Sequence, residues 1–272
     1  MKQGLLSLFT FVFITGTTLA QSSFAESLKA YVTIPKGTIN GKEVKQFYMS
    51  ATEVTNKQYR EFIHALQASG DTAKLRIAMV DTAQWLKEPH YNQPYAAHYF
   101  QHKAYDDYPV VNITRRGALL YCEWLTEKFK KGGKTQMHVT LPDEKTWEYA
   151  ARGGDSLAIY PWKGKTTKYE GKGKYNGTYL CNYFIGLDPD RPKLDSTKFN
   201  ANADITAPAL SYMSNGYKLS NMAGNVSEML SDKNYTKGGS FYSPADKVKI
   251  AAHEDRDVNV GSPMVGFRPV IW

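Results

Sequence analysis

Cysteine is almost missing: the 272-residue chain has two, Cys122 and Cys181. One intramolecular disulfide is therefore the maximum, and chemistry that needs two thiolates has only this pair to draw on. The sequence by itself leaves bridge and no bridge equally open. Long apolar runs are missing too. No 18-residue apolar stretch follows the N-terminus, which excludes a polytopic helical membrane protein. There is no repeat of fixed period and no linker that divides the chain. With 42% hydrophobic and 22% charged residues and a mean hydropathy of −0.48, disorder, collagen and coiled coil are excluded as the main architecture. What the chain does have is aromatic side chains, at 13% with 19 tyrosines, and a net charge of +8. The first points to an aromatic core or an aromatic binding surface. The second, spread over the chain, favours acidic partners only weakly.

The N-terminus has the pattern of a secretory signal. Lys2 supplies a positive start, and Leu5, Leu6, Leu8, Phe9, Phe11, Val12, Phe13 and Ile14 form a short apolar region. Thr18-Leu19-Ala20 then offers a cleavage site, with Ser23-Phe24-Ala25 as a second choice. The expectation is a signal peptide over 1–20, a short tail over 21–30 and one domain over 31–272. Export permits a disulfide. No cysteine lies near the cleavage site to carry a lipid.

Along the domain, Tyr31 to Ile34 alternates as a strand and Val44 to Ser50 reads as a second. Thr55 to Gln58 has the spacing of a capping box. Tyr59, Phe62, Ile63 and Leu66 follow at helical spacing, and Ser69-Gly70 ends the helix. Residues 71–110 show no clear period and read as an irregular, aromatic-rich insertion. Asn112 or Thr114 starts a helix carrying Ala118, Tyr121, Cys122, Leu125 and Phe129, closed by Lys130, Lys131 and two glycines. Met137 to Leu141 is a short strand, and Asp143 caps a helix through Trp147 to Ala151. The second half is rich in Gly, Pro, Asn and Asp with few helical signals. The class expected is α+β with little regular structure.

Several segments carry a resemblance in consistent order. Tyr48-Met-Ser-Ala-Thr-Glu-Val-Thr-Asn56 comes first, then Thr140-Leu-Pro-Asp-Glu-Lys-Thr-Trp-Glu-Tyr-Ala-Ala-Arg-Gly-Gly154 and Tyr160-Pro-Trp162. Asn215-Gly-Tyr-Lys-Leu-Ser-Asn-Met-Ala-Gly-Asn-Val-Ser-Glu228, Lys237-Gly-Gly-Ser240 and Val265-Gly-Phe-Arg268 follow. Together they resemble the formylglycine-generating enzyme (sulfatase-modifying factor) family, from about residue 31 to 272. The resemblance implies that family's variant of the C-type-lectin-like fold, with bound calcium. A narrower resemblance lies within 81–111. Asp81-Thr-Ala-Gln-Trp85, Tyr91 to Pro94, His98-Tyr-Phe100 and Ala104-Tyr-Asp-Asp-Tyr-Pro-Val-Val111 are similar to gliding-motility lipoproteins of the Bacteroidota, envelope members linked to gliding and type IX secretion. The missing lipobox cysteine departs from that pattern.

The enzymes of the family use two cysteines after the Gly-Gly-Ser segment to bind copper and activate oxygen. Those positions fall here on Ser243 and Val248, and no cysteine follows Cys181. A hydroxyl or an isopropyl group supplies no thiolate for Cu(I). The resemblance thus implies a non-enzymatic member without copper. Position by position it places one calcium site on Asn221, the carbonyls of Gly224 and Val226, and Glu228. A second falls on Asn182, the Tyr183 carbonyl and Asp204. A mix of carboxylate, amide and carbonyl oxygens suits a hard cation. The same residues also suit a turn bonded to its own backbone.

Other patterns are weaker. His98 and His102 have the first spacing of a His-x3-His-x-Glu iron site, but Ala104 stands where the Glu belongs. Asp106-Asp107 reads as a cap or turn pair. Lys163, Lys165, Lys168, Lys172 and Lys174, opposed by Glu170, form a basic stretch suited to lipopolysaccharide phosphates, to an acidic protein or to solvent. Nucleic-acid binding is not expected. The function expected is a binding or scaffold subunit of a bacterial envelope assembly, periplasmic, outer-membrane associated or secreted. Its partner surface is expected at Trp85, Tyr91, Tyr95, Tyr99, Phe100 and Tyr105. The alternatives are a metal-dependent oxidoreductase involving Ser243, His253 or Asp255, and a glycan-binding module by fold analogy.

Overall fold

The computed structural model describes residues 28–88, 92–185 and 205–272. The expected signal peptide, Tyr91 and Asp204 lie outside them. Four short strands open the domain: β1 (Tyr31–Ile34), β2 (Gly37–Ile39), β3 (Lys42–Val44) and β4 (Phe47–Ser50). The strand expected over 44–50 is thus two, separated by the turn between β3 and β4. Helix α1 (Asn56–Ser69) begins where the capping box placed it, with Thr55 and Gln58 each bonding the other's backbone amide, and Gly70 in the left-handed region closes it.

The 71–110 segment is not irregular. It holds α2 (Thr72–Ala78), a 3-10 turn (Thr82–Lys87), α3 (Gln93–His98) and a second 3-10 turn (Lys103–Tyr105). The longest has seven residues, too short to display a 3.6-residue period. Helix α4 (Arg115–Lys131), capped by Thr114, β5 (Val139–Thr140) and α5 (Glu144–Ala151), capped by Asp143, then follow the reading closely. Among the described residues no ladder strand or helix occurs from there to β6 (Ser227–Met229). β7 (Tyr235–Lys237), β8 (His253–Asp255), β9 (Val265–Gly266) and β10 (Val270–Ile271) complete the chain.

Two four-stranded sheets result. The first has the order β1-β4-β10-β5, so the C-terminal strand sits between β4 and β5 and joins the two ends of the domain. The second has the order β8-β7-β6-β9, with β6 and β9 parallel. The main core lies where α1 and α4 meet Phe267: Tyr59 stacks on Tyr121 at 5.9 Å, and Phe62, Phe100 and Phe267 pack on them edge-on. The mixed helix and strand content agrees with the α+β expectation. Cys122 belongs to this core and Cys181 to a separate cluster with Tyr160, Tyr179, Tyr183 and Val248. Both thiols are free, and burial pushes both well above the usual range.

Candidate functional site

The residues singled out in the Asn221–Glu228 run converge on a buried polar core that the sequence did not reveal. Glu228 on β6 is almost fully buried and bonds Arg268 two ways, at 3.0 Å from Nε and 2.8 Å from Nη2. Its second oxygen accepts the Trp147 indole N–H at 2.7 Å. Arg268 also donates to the Ser50 carbonyl at 2.9 Å and the Ser220 carbonyl at 2.7 Å. Glu53 lies 3.9 Å from Arg268 and accepts from Asn225 at 2.9 Å and Asn221 at 3.3 Å. Two buried carboxylates thus share one guanidinium. Burial raises the Glu53 carboxyl to about 7, against the lowering effect of Arg268 and with a further push from Glu228. The buried Lys237 ammonium lies over the Trp147 ring, 5.8 Å from its centroid, and 2.7 Å from Glu148.

Loop crossings hold this core in place. The Asn225 amide N–H donates to the Asn182 carbonyl at 2.7 Å, and the Gly224 N–H donates to the Gly238 carbonyl at 2.8 Å. Gly224 has φ 71°, and a Cβ there would collide with the Asn182 carbonyl. Only glycine satisfies both conditions. Asn225 closes the crossing by bonding both the N–H and the carbonyl of Ala207.

These bonds bear on calcium. Asn221 keeps a buried Oδ1 without a hydrogen-bond partner, which is an oxygen free to meet a cation. Glu228 does not match it, because both its oxygens are taken by Arg268 and Trp147. The first set therefore fits a cation only in part. In the second set the Asn182 amide donates to the Ile205 carbonyl at 2.7 Å, Tyr183 packs beside Cys181 and bonds Thr167, and Asp204 is outside the described residues. Among the described residues no group of three His, Cys, Asp or Glu side chains is placed to hold a metal.

The Ser243 loop lies on the other side of the second sheet. Gly239, at φ 67°, turns the chain so closely over Val248 that a Cβ would stand 2.8 Å from its Cγ1. Ser243 is buried, donates to Glu254 Oε2 at 2.7 Å and accepts the Ser240 N–H at 2.8 Å. Ser227 donates to the same Glu254 oxygen at 2.8 Å. The hydroxyls are thus spent on one carboxylate. Val248 is fully buried among tyrosines and beside Cys181.

Strand β8 alternates, as strands do. It turns Glu254 toward Ser243 and leaves His253 and Asp255 exposed. Of the three residues named for a metal-dependent oxidoreductase, Ser243 is buried and meets Glu254, while His253 and Asp255 are exposed. The alternation within His253-Glu254-Asp255 was the signal that could have found Glu254. Local sequence assigns no role to Glu53, Arg268, Lys237 or Trp147. Their partners lie 40 or more residues away along the chain, beyond any local pattern.

The insertion aromatics need a larger correction. Trp85, Tyr99 and Phe100 are buried, and Tyr95 and Tyr105 are half-buried against them. Trp85 packs 5.3 Å from Tyr95 and 5.1 Å from Tyr99, in a cluster with Val111, Val226, Phe241 and Met264. Asn56 donates to the Tyr99 and Tyr105 carbonyls at 3.0 Å each, and Arg60 pairs with Asp106. The insertion is sewn into the core and its largest rings are not a surface. His98 and His102 are exposed with ring centroids 6.3 Å apart, and His102 accepts the Ala104 N–H.

Comparison with known proteins fits this architecture. The family described as "Sulfatase-modifying factor enzyme 1-like domain" matches residues 7–271. A formylglycine-generating enzyme of Streptomyces coelicolor is 27% identical over 290 residues, covering 90% of this chain and 83% of that protein. One from Thermomonospora curvata is 31% identical over 190 residues, covering 60% and 55%. The inactive C-alpha-formylglycine-generating enzyme 2 of Bos taurus is 23% identical over 271 residues, covering 86% and 79%. Among solved structures, CarF superposes with a TM-score of 0.57 at 19% identity, over 88% of this chain and 97% of that one. PvdO from Pseudomonas aeruginosa does so with 0.57 at 18%, over 89% and 93%. At these identities the structures speak for the fold alone.

Proposed function

The chain belongs to the sulfatase-modifying-factor family, and on that premise we propose that it is a non-enzymatic binding or scaffold subunit of a bacterial cell-envelope assembly, of the gliding or type IX secretion kind. One observation carries the non-enzymatic reading. The two positions that the family resemblance assigns to the copper-binding cysteines, Ser243 and Val248, are a buried serine already bonded to Glu254 and a valine in an apolar cluster. Soft thiolates are what Cu(I) requires. Cys181 lies beside Val248 but is a single thiol, held protonated by burial. Relatives named as enzymes are 27% and 31% identical and an inactive one 23%. Overall identity therefore does not separate the two, and the content of these two positions supports the non-enzymatic reading.

The scaffold half of the proposal rests on rigidity. Arg268 ties β4, the Ser220 turn and β6 together, and the Asn182, Asn225 and Ala207 segments cross one another through backbone bonds. Such a loop scaffold can present fixed surfaces to a partner without ordering cost. The N-terminal signal pattern supplies the route to the envelope.

Three measurements test the proposal. Purified protein incubated with a sulfatase-derived peptide and Cu(I) is expected to leave the peptide cysteine unchanged by mass spectrometry. Elemental analysis is expected to find no stoichiometric copper. Aldehyde formation, or a redox metal retained one per chain, overturns the non-enzymatic reading in favour of an oxidoreductase. Gentle-detergent purification from native membranes is expected to bring defined envelope proteins along. Recovery as a lone monomer removes the scaffold role.

A further inference from the structure

The segment from Leu157 to Leu180 joins the Val248 cluster through Tyr160 and Tyr179, but its lysines belong to neither site described above. It holds five lysines, at 163, 165, 168, 172 and 174, against one carboxylate, Glu170. The chain doubles back on itself here. The Tyr169 N–H donates to the Thr178 carbonyl, the Gly177 N–H to the Tyr169 carbonyl and the Leu180 N–H to the Thr167 carbonyl, each at 2.8 Å. Lys168 and Tyr179 form an antiparallel bridge between the arms.

The base of this hairpin is anchored. Tyr179 is buried, the Lys168 ammonium sits 5.1 Å from its ring, and Tyr160 stacks on Trp162 at 5.1 Å with planes 6° apart. The Trp162 indole N–H donates to the Thr166 carbonyl at 2.9 Å. Lys163, Lys165, Lys172 and Lys174 are all exposed, and none forms an ion pair among the described residues. Large apolar side chains of the same segment are exposed as well: Leu157 is 86% exposed, Tyr175 46% and Ile159 44%.

We propose that this anchored hairpin is a docking surface for an anionic lipid bilayer, its lysines on the headgroup phosphates and Leu157, Ile159 and Tyr175 at the boundary with the acyl chains. Lysine clusters beside exposed apolar and aromatic side chains match the two layers of such an interface. An acidic polypeptide would satisfy the lysines, but Leu157 would gain nothing from it. The bilayer accounts for both halves of the segment. The inference does not depend on the scaffold reading. It needs neither a protein partner nor an inactive Ser243 site.

The test is cosedimentation of the full chain with vesicles of phosphatidylglycerol in phosphatidylcholine and of phosphatidylcholine alone. Stronger binding to the anionic vesicles, weakened by salt, is expected. A lysine near an anionic surface contributes roughly fivefold in affinity. K163Q/K165Q/K172Q/K174Q is therefore expected to lose the anionic preference by more than about a hundredfold. K36Q/K42Q/K45Q/K57Q removes four exposed lysines elsewhere and the same net charge, and is expected to bind as the parent does. All three chains share one N-terminus, so their difference reads the hairpin. No preference for anionic vesicles, an equal loss in the control, or binding to polyglutamate but not to vesicles overturns the proposal.

Discussion

Arg268→Gln is expected to lower the unfolding free energy by about 3–5 kcal/mol, because it strands buried charge. The guanidinium is fully buried and is the cation shared by Glu53 and Glu228. Its removal also leaves the Ser50 and Ser220 carbonyls without their donor. Arg268→Lys is expected to rescue little. A single ammonium cannot reproduce the fork that meets Glu228 from two nitrogens while reaching two carbonyls. The matched control is Arg116→Gln. Arg116 pairs with Glu123 at 2.9 Å, but both side chains are more than half exposed, so less than about 1 kcal/mol is expected there. Urea unfolding reads both variants, with the slope checked for constancy. If Arg268→Gln shifts the midpoint no more than Arg116→Gln does, the polar core is not the tie that the geometry makes it.

Trp85→Ala is expected to cost about 3–5 kcal/mol, as for a large buried aromatic whose site collapses incompletely. A surface tryptophan waiting for a partner would lose binding and keep stability. Trp85 is only 2% exposed, and its cluster includes Val226, which lies between Asn225 and Glu228. Loosening the insertion therefore loosens the polar core as well. The neighbouring Leu86 is 54% exposed, and Leu86→Ala is expected to stay within about 0.5 kcal/mol of the parent. Thermal or urea unfolding of the two variants gives the comparison. Equal stability in both would return Trp85 to the surface and the insertion to its role as a partner face.

The two predictions divide along what local sequence encodes. Caps are local, and so Thr55, Thr114 and Asp143 announced three helices nearly to the residue. The glycine turns of the motif segments were readable for the same reason, since a left-handed residue leaves few other choices. The insertion was misread because its helices are shorter than two helical turns of usable pattern. Aromatic composition alone does not say whether a ring faces water or its neighbours.

The sequence by itself determined the family resemblance, the helix starts and the absence of cysteine after Cys181. Each of these is a matter of which residue stands where. It could not assign the charges. Arg268 meets Glu228 across 40 positions and the Ser50 carbonyl across 218. Glu254, rather than its flanking His253 and Asp255, reaches Ser243 because strand β8 turns alternate side chains to opposite faces. Burial and pairing in space decide what a charged side chain does, because the cost of removing it from water is met only by the partners the fold brings to it.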